Sequence, residues 1–191
     1  MNFLGIDVGT SGTRALVIDP AGRIVGSATT EHIPFATPRP GWAEQDPADW
    51  WRATGDAVRG ALAAAGLDGG GIVSVGFSGQ MHGSTLLDAH DDVVRPALLW
   101  CDQRTGAECE AITTTVGAAR LIELTLNPAL TGFTLPKLLW VRRHEPELWS
   151  RVRSVLLPKD YVRFRLTGVP ASRPVAAAPA ALTVPVTSGD S

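Results

Sequence analysis

The residues with the clearest chemical potential lie near the start of the chain, in a turn between two apolar segments. The turn carries two glycines, three hydroxyl side chains and an arginine: Gly9, Thr10, Ser11, Gly12, Thr13 and Arg14. Both glycines can adopt positive φ without a Cβ penalty, which lets successive amides point into one anion-binding concavity while the hydroxyls add donors. Asp7, just before the turn, is placed to meet a phosphate-bound magnesium ion through water. The segment therefore predicts a phosphate site, with an ordinary β-hairpin turn as the alternative.

A second polar cluster occupies residues 79–83, with the sequence Gly-Gln-Met-His-Gly. It follows the apolar segment 72–78, which comes after a helix and is therefore predicted to be a strand buried within the sheet. Open α/β sheets bind ligands just beyond the carboxyl ends of their central strands, so Met81 and His82 are candidate ligand-binding residues. The alternatives are that Met81 fills the core and that His82 makes a local hydrogen bond.

A third candidate cluster starts at Trp100, where an aromatic ring precedes a carboxylate, an amide and a guanidinium: Asp102, Gln103 and Arg104. The segments 85–88 and 93–99 are predicted to pair as strands, and the second of them delivers this cluster to a strand end. In the alternative interpretation, Trp100 packs in the core and Asp102 caps a helix over residues 103–115.

The elements that must position these clusters begin with a predicted three-stranded meander. The apolar segments on either side of the first turn supply two strands, and residues 23–30 supply the third after a short turn at residues 19–22. Residues 34–45 contain three prolines and are predicted to form a loop. Two later helices are predicted near residues 133–144 and 158–167.

One helix has clear start and stop signals. Asp46 is a predicted N-cap, because Pro47 suits the first helical position and Asp49 suits the positive end of the helix dipole. An apolar stripe with helical spacing follows, and Gly66 is the predicted stop.

Composition limits the classes of function. The chain has 191 residues, 45% of them hydrophobic, which is enough for one domain or for one domain and a fragment. A formal net charge of -2 without a long run of Lys or Arg gives no support to a nucleic-acid or membrane partner. The two cysteines, Cys101 and Cys109, predict reduced thiols in a cytoplasmic protein, and no apolar segment approaches transmembrane length.

Taken together, these motifs resemble the N-terminal domain of the xylulokinases, within the FGGY family of carbohydrate kinases. The resemblance covers residues 1 to about 168 and rests on several segments: residues 5–12, 42–47, 50–51, 79–83, 98–104, 136–140 and 156–161. Residues 79–83 carry the most specific agreement, because the related glycerol kinases have a charged Arg-Glu pair where this chain has Met81 and His82.

The resemblance implies an α/β fold, an actin-like ATPase domain of ribonuclease-H-like topology with a mixed sheet and helices on both faces. It also implies one half of a two-domain clamp that uses ATP and Mg²⁺ to phosphorylate a ketose, above all D-xylulose. Within that family, Asp7 acts near magnesium and the transferring phosphate, and residues 9–13 form the phosphate turn. Arg14 matches an arginine of glycerol kinases and would neutralise charge on the transferring phosphoryl group.

The resemblance also assigns a sugar-binding edge. Met81 would pack against the carbon skeleton, His82 would offer a donor or acceptor to a hydroxyl, and Trp100 would supply a flat apolar wall. Asp102 would either bind a sugar hydroxyl or cap its helix. The family is compatible with a homodimer for a full-length chain.

The chain departs from the family in two respects. The base that accepts the sugar hydroxyl proton is, in this family, an aspartate followed by Asn or a similar residue in a Gly-rich segment, and no Gly-Asp-Asn segment occurs here. Residues 169–191 lose the family pattern and, rich in Ala and Pro, predict a disordered tail. We therefore expect a truncated kinase domain that is inactive alone, with a non-catalytic sugar- or phosphate-binding module, or the remnant of a kinase gene, as the alternative.

Overall fold

The structure, a computed structural model, describes residues 1–169, and their internal contacts divide them into two units. The sheet unit comprises Met1–Pro34, Asp46–Gln80 and the described residues from Pro158 onward. The pocket unit comprises Phe35–Gln45 and Met81–Leu157. Because the chain passes repeatedly between them, neither unit is a continuous stretch of sequence.

The strands are β1 (Asn2–Val8), β2 (Gly12–Ile18), β3 (Ile24–Glu31), β4 (Glu44–Gln45), β5 (Ile72–Gly79), β6 (Thr85–Leu87), β7 (Ala97–Leu98) and β8 (Ser154–Leu156). The helices are α1 (Pro47–Ala64), α2 (Gly106–Val116), α3 (Ala118–Thr125), α4 (Thr134–His144), α5 (Pro146–Arg151) and α6 (Pro158–Thr167). The two later helices predicted from the sequence are confirmed as α4 and α6.

The sheet unit is built on a mixed sheet with the strand order β3-β2-β1-β5. The first three strands form the predicted antiparallel meander, and β5 joins β1 in parallel. Alternation along β1 buries Leu4, Ile6 and Val8 and leaves Asp7 exposed, which gives the sheet one apolar face. Helices α1 and α6 contact each other and the sheet, and Trp50 meets Tyr161 edge-on at 6.5 Å between ring centroids.

Helix α1 has the predicted caps. The Asp46 carboxylate accepts a hydrogen bond from the Ala48 amide at 2.9 Å, and Pro47 is the first helical residue. The helix ends at Ala64, and Gly66 follows with φ of 67° while the Leu67 amide returns to the Leu62 carbonyl. This left-handed exit is the reason that glycine stops the helix.

The prediction that residues 72–78 lie buried within the sheet is wrong. Strand β5 is the last strand of the sheet, and within residues 1–169 it pairs with β1 alone. As a result, Val73 and Val75 are 54% and 38% exposed. An apolar segment indicates a strand, but its composition does not distinguish an edge position from a central one.

The pocket unit has two small antiparallel sheets, β4 with β7 and β6 with β8. Two predictions change here. Strand β4 lies in the segment predicted as loop, and the predicted hairpin of residues 85–99 reduces to isolated bridges, because β6 takes β8 as its regular partner. The helix predicted over residues 103–115 begins later, at Gly106.

None of the helices within residues 1–169 combines the length and the apolar character needed to cross a membrane. Cys101 and Cys109 are free thiols in the structure. The predicted disordered tail of residues 169–191 lies, apart from Val169, outside the described residues.

Candidate functional site

The glycine-rich turn joins β1 to β2 and is closed by a hydrogen bond from the Gly9 amide to the Gly12 carbonyl at 3.0 Å. Neither glycine has positive φ, so the turn does not use the conformational freedom that glycine allows. Close backbone approach explains them instead. A Cβ on Gly12 would lie 2.8 Å from the Thr30 carbonyl oxygen, and one on Gly9 would lie 3.0 Å from the Gly12 oxygen.

Two side chains outside the turn hold its carbonyl groups. The Gln80 amide donates to the Gly9 carbonyl at 3.1 Å, and His32 Nδ1 lies 3.3 Å from the Thr10 carbonyl. The His32 amide donates to the Ser11 carbonyl at 2.9 Å. The C=O and N–H groups of a trans peptide point in opposite directions, so the amides of Thr10 and Ser11 are turned away from Gln80 and His32. This arrangement suits an anion on the outer side of the turn.

The hydroxyls of the turn differ in availability. Thr13 is fully buried, and its hydroxyl lies 2.8 Å from His32 Nε2, so it is engaged within the protein rather than offered to a ligand. With Nδ1–H donating to the Thr10 carbonyl, Nε2 accepts from the Thr13 hydroxyl. Burial lowers the pKa of His32, which keeps the imidazole in this neutral form. Ser11 is exposed at the tip of the turn.

Asp7 and Arg14 are direct cross-strand partners on the exposed face of the sheet. Together with Ser78, they line an open groove. Gly5 and Gly76, which are paired residues on β1 and β5, also line this groove and contribute no side chains to it. A single carboxylate of this kind suits a Mg²⁺ ion that keeps most of its water ligands, with phosphate oxygens completing the shell. Within residues 1–169, no group of three or more acidic, His or Cys side chains is arranged to hold a metal by itself.

The pocket unit contains a cavity of about 510 Å³ that brings together three predicted residues, Met81, His82 and Trp100. Its other lining residues are Gln103 and the segment 130–133 that precedes α4. Met81 is 65% and Trp100 50% exposed, so neither is a core residue. The cavity therefore offers a thioether, an indole and an imidazole to a ligand.

His82 has an unusual backbone, with φ of 58°. Its ring packs against Phe133 at 4.6 Å between centroids, and its carbonyl accepts from the Thr134 hydroxyl at 3.3 Å. Burial, and then the charge of Lys137, lower the pKa of His82. The imidazole is therefore neutral at pH 7 and has one donor and one acceptor to offer.

Asp102 does not cap the following helix, and the contacts of its carboxylate are with other protein groups. It is fully buried, and its carboxylate accepts from the Ala43 amide at 2.7 Å and from the Arg104 guanidinium at 2.8 and 3.0 Å. Helix α2 begins after Thr105, which leaves Asp102 outside its cap. The Arg104 guanidinium also lies over the Trp42 ring at 3.6 Å. Asp102 thus fixes the loop that presents Trp100.

Sequence reasoning missed three supporting residues: His32, Gln80 and Lys137. Lys137 is fully buried, and its ammonium donates to the His82 and Gly132 carbonyls, each at 2.8 Å. Gln80 lies within segment 79–83, which the sequence identified as a candidate site. Its contact with the glycine-rich turn was not predicted. The only sign of Lys137 in the sequence is a lysine among apolar residues of a predicted helix.

The mixed α/β fold matches that of solved carbohydrate kinases, and the family comparison agrees. Residues 2–182 match the N-terminal domain of the FGGY family of carbohydrate kinases. The chain belongs to this family.

Xylulose kinases are among the relatives and the solved structures that the chain resembles. The chain is 46% identical over 166 residues to the xylulose kinase of Escherichia coli (strain K12), covering 87% of this chain and 33% of that protein. A solved structure described as a xyloylose kinase from Brucella ovis is 45% identical, with a TM-score of 0.81 over 86% of this chain and 34% of its own. The structure of the xylulose kinase from Rhodospirillum rubrum is 28% identical, with a TM-score of 0.83. The match covers 88% of this chain and 34% of that one.

The chain therefore spans about a third of the length of the relatives it matches. The predicted fold class and family are confirmed. The domain boundary at residue 168 and the roles of individual site residues stay predictions.

Proposed function

We propose that these residues form the N-terminal part of an ATP-dependent ketose kinase that converts D-xylulose to D-xylulose 5-phosphate. The observation that carries the proposal is the cavity where Met81, His82 and Trp100 meet. A sugar presents hydroxyls and an apolar carbon face, which a neutral imidazole and an indole or thioether complement. Family membership supplies the reaction class, and the xylulose kinases among the relatives supply the substrate.

The turn after β1 is the proposed phosphate site. Its outward amides and Ser11 would hold phosphate oxygens, and Arg14 would offset the charge of the transferring phosphoryl group. Asp7 would contact Mg²⁺ through water, where the ion would neutralise phosphate charge. ATP and Mg²⁺ thus fit the donors of the sheet unit.

Transfer to a hydroxyl also requires a group that accepts its proton. The described residues that line the cavity include no carboxylate, so we assign them binding and orientation rather than proton transfer. In the proposed enzyme the base comes from the family's later Gly-rich segment. The same observation favours the second candidate function, a sugar-binding module without phosphoryl transfer.

Titration of the 191-residue chain with D-xylulose, followed by NMR, tests the sugar site. We expect signals of His82 and Trp100 to shift, and His82→Ala to weaken binding by about 5- to 100-fold through loss of a hydrogen bond to a hydroxyl. His90→Ala is the matched control, because His90 is exposed in the turn between β6 and β7. Equal affinity in the two variants would remove His82 from the site.

A further inference from the structure

Lys137 occupies a position that the proposed chemistry does not use. It lies in the first turn of α4, is fully buried and does not line the cavity. Its ammonium donates to two neutral carbonyl oxygens, those of His82 and Gly132, each at 2.8 Å. Burying an ammonium away from water is unfavourable, so two good acceptors are needed to hold it there.

The two carbonyls belong to different segments of the cavity wall. His82 follows β5, whereas Gly132 lies in the loop before α4. A Cβ on Gly132 would lie 2.5 Å from the Trp100 carbonyl oxygen, so this loop also lies directly against the segment that carries Trp100. The Lys137 ammonium therefore joins two of the three segments that line the cavity, and the second of these packs on the third.

The backbone of His82 needs such support. A φ of 58° is sparsely populated by residues other than glycine and asparagine, and such conformations persist when surrounding contacts hold them. Lys137 and Thr134 both donate to the His82 carbonyl, and Phe133 packs against the ring. These contacts fix the direction in which the imidazole faces the cavity.

We propose that Lys137 is a positioning residue that sets the conformation of His82 and the separation of the cavity walls, and thereby the affinity for the sugar. The identity of the sugar rests on the proposed function. The effect of Lys137 on the conformation of His82 does not depend on it. A compact ammonium suits the task, because its three donors can reach carbonyl groups that lie on two different segments.

The charge of Lys137 depends on its surroundings. Burial lowers its pKa to about 7, against the opposing influence of Asp102 and Cys101, and Arg104 lowers it further. His82, whose carbonyl accepts from Lys137, is also titratable, and the Lys137 charge lowers its pKa in turn. Near neutral pH, the ammonium and the amine are therefore both populated, and the ammonium is the stronger donor.

The test compares Lys137→Met with Lys159→Met in the 191-residue chain. Met keeps the length of the side chain and removes the donors, and Lys159, the second lysine of the chain, pairs with the neighbouring Asp160 carboxylate in α6 rather than with carbonyl groups of the cavity wall. NMR measures the nuclear Overhauser effect between the rings of His82 and Phe133 and the φ-dependent coupling of His82. D-Xylulose titration measures affinity.

We expect Lys137→Met to lose the ring-to-ring effect, to change the His82 coupling and to bind D-xylulose at least 5-fold more weakly, while Lys159→Met matches the wild type. An unchanged His82 in a folded Lys137→Met variant overturns the inference, as does a changed His82 with unchanged affinity. If D-xylulose does not bind the wild type, the proposed substrate is wrong, and the His82 measurements alone decide the role of Lys137.

A wild-type titration covers the case in which Lys137→Met does not fold. With ¹³C-labelled lysine and glycine, the Lys137 Cε signal and the Gly132 carbonyl signal should move with one shared midpoint near pH 7. Lys159→Arg assigns the two lysine signals. A Gly132 carbonyl that does not follow Lys137 shows that the hydrogen bond is absent in solution and overturns the inference.

Discussion

At the residue scale, the ionisation of Lys137 links the cavity to stability. Burial lowers its pKa from the usual 10.5 to about 7, so between these values the unfolded chain binds more protons than the folded one. The free energy of unfolding therefore rises with pH across this window, by up to about 1.4 kcal/mol per unit. The sign follows from a folded pKa that lies below the unfolded one.

The measurement is urea unfolding at pH 7.5 and pH 9 for the wild type and for Lys137→Met. We expect the wild type to gain stability relative to the variant as the pH rises, because only the wild type has Lys137. The cysteine and tyrosine residues titrate in both proteins, so their contributions cancel in the comparison. A difference that stays constant with pH would show that Lys137 has an ordinary pKa in the folded state.

Residue types identified the candidates in the sequence, but burial decided their roles. Met81, His82 and Trp100 were predicted from the polar and aromatic segments after apolar strands, and the structure brings all three to one cavity. Asp102, predicted alongside them, is fully buried on Arg104 and the Ala43 amide. Ala43 is far from Asp102 in the sequence, so no local sequence pattern predicts that hydrogen bond.

At the element scale, the contact between β3 and α1 depends on one glycine. A Cβ on Gly26 would lie 2.3 Å from the Ala61 carbonyl oxygen and 2.7 Å from the Ala65 amide. Backbone cannot move aside as a flexible side chain can, so Gly26→Ala must separate the helix from the strand. We expect a loss of at least about 2 kcal/mol in unfolding free energy.

Gly76→Ala is the matched control in β5, because a Cβ there meets nothing within 4 Å. Its effect should stay within about 1 kcal/mol, with the reduced freedom of the unfolded chain favouring alanine. Chemical unfolding of the two variants measures the contrast. Equal losses would show that the cost at Gly26 comes from strand propensity and not from the close approach.

Elements with local signals were predicted well, and elements defined by distant partners were not. Helix α1 carries its N-cap, its first proline and its terminal glycine in its own sequence, and all three work as expected. Strand β6 has no such signal for choosing β8, which lies more than sixty residues away. The edge position of β5 likewise depends on the order of strands and not on their composition.

At the scale of the whole molecule, binding and catalysis separate. The proposed sugar cavity and phosphate turn would supply binding groups, whereas the family's proton-accepting Gly-Asp-Asn segment does not occur in these 191 residues. We therefore expect a polypeptide of this sequence to show no D-xylulose-dependent release of ADP from ATP in a coupled assay. Turnover on the order of 10 per second, typical of an enzyme, would contradict this expectation.

The same separation predicts what restores activity. A chimera that joins residues 1–168 to the remaining two thirds of a related xylulose kinase should phosphorylate D-xylulose, because it would unite the proposed sugar cavity and phosphate turn with the family's catalytic base. Two substitutions then distinguish the sites. His82→Ala removes a hydrogen bond to a sugar hydroxyl and should raise the barrier for kcat/KM by about 1–3 kcal/mol.

Asp7→Ala in the same chimera should act differently. Loss of the carboxylate disturbs the metal and the transferring phosphate, so kcat should fall by more than the His82→Ala effect, while the affinity for the sugar stays close to that of the parent chimera. Steady-state kinetics with D-xylulose varied at saturating ATP separate the two parameters. If Asp7→Ala weakened sugar binding and left kcat intact, Asp7 would belong to the sugar site, and its proposed place beside magnesium would be wrong.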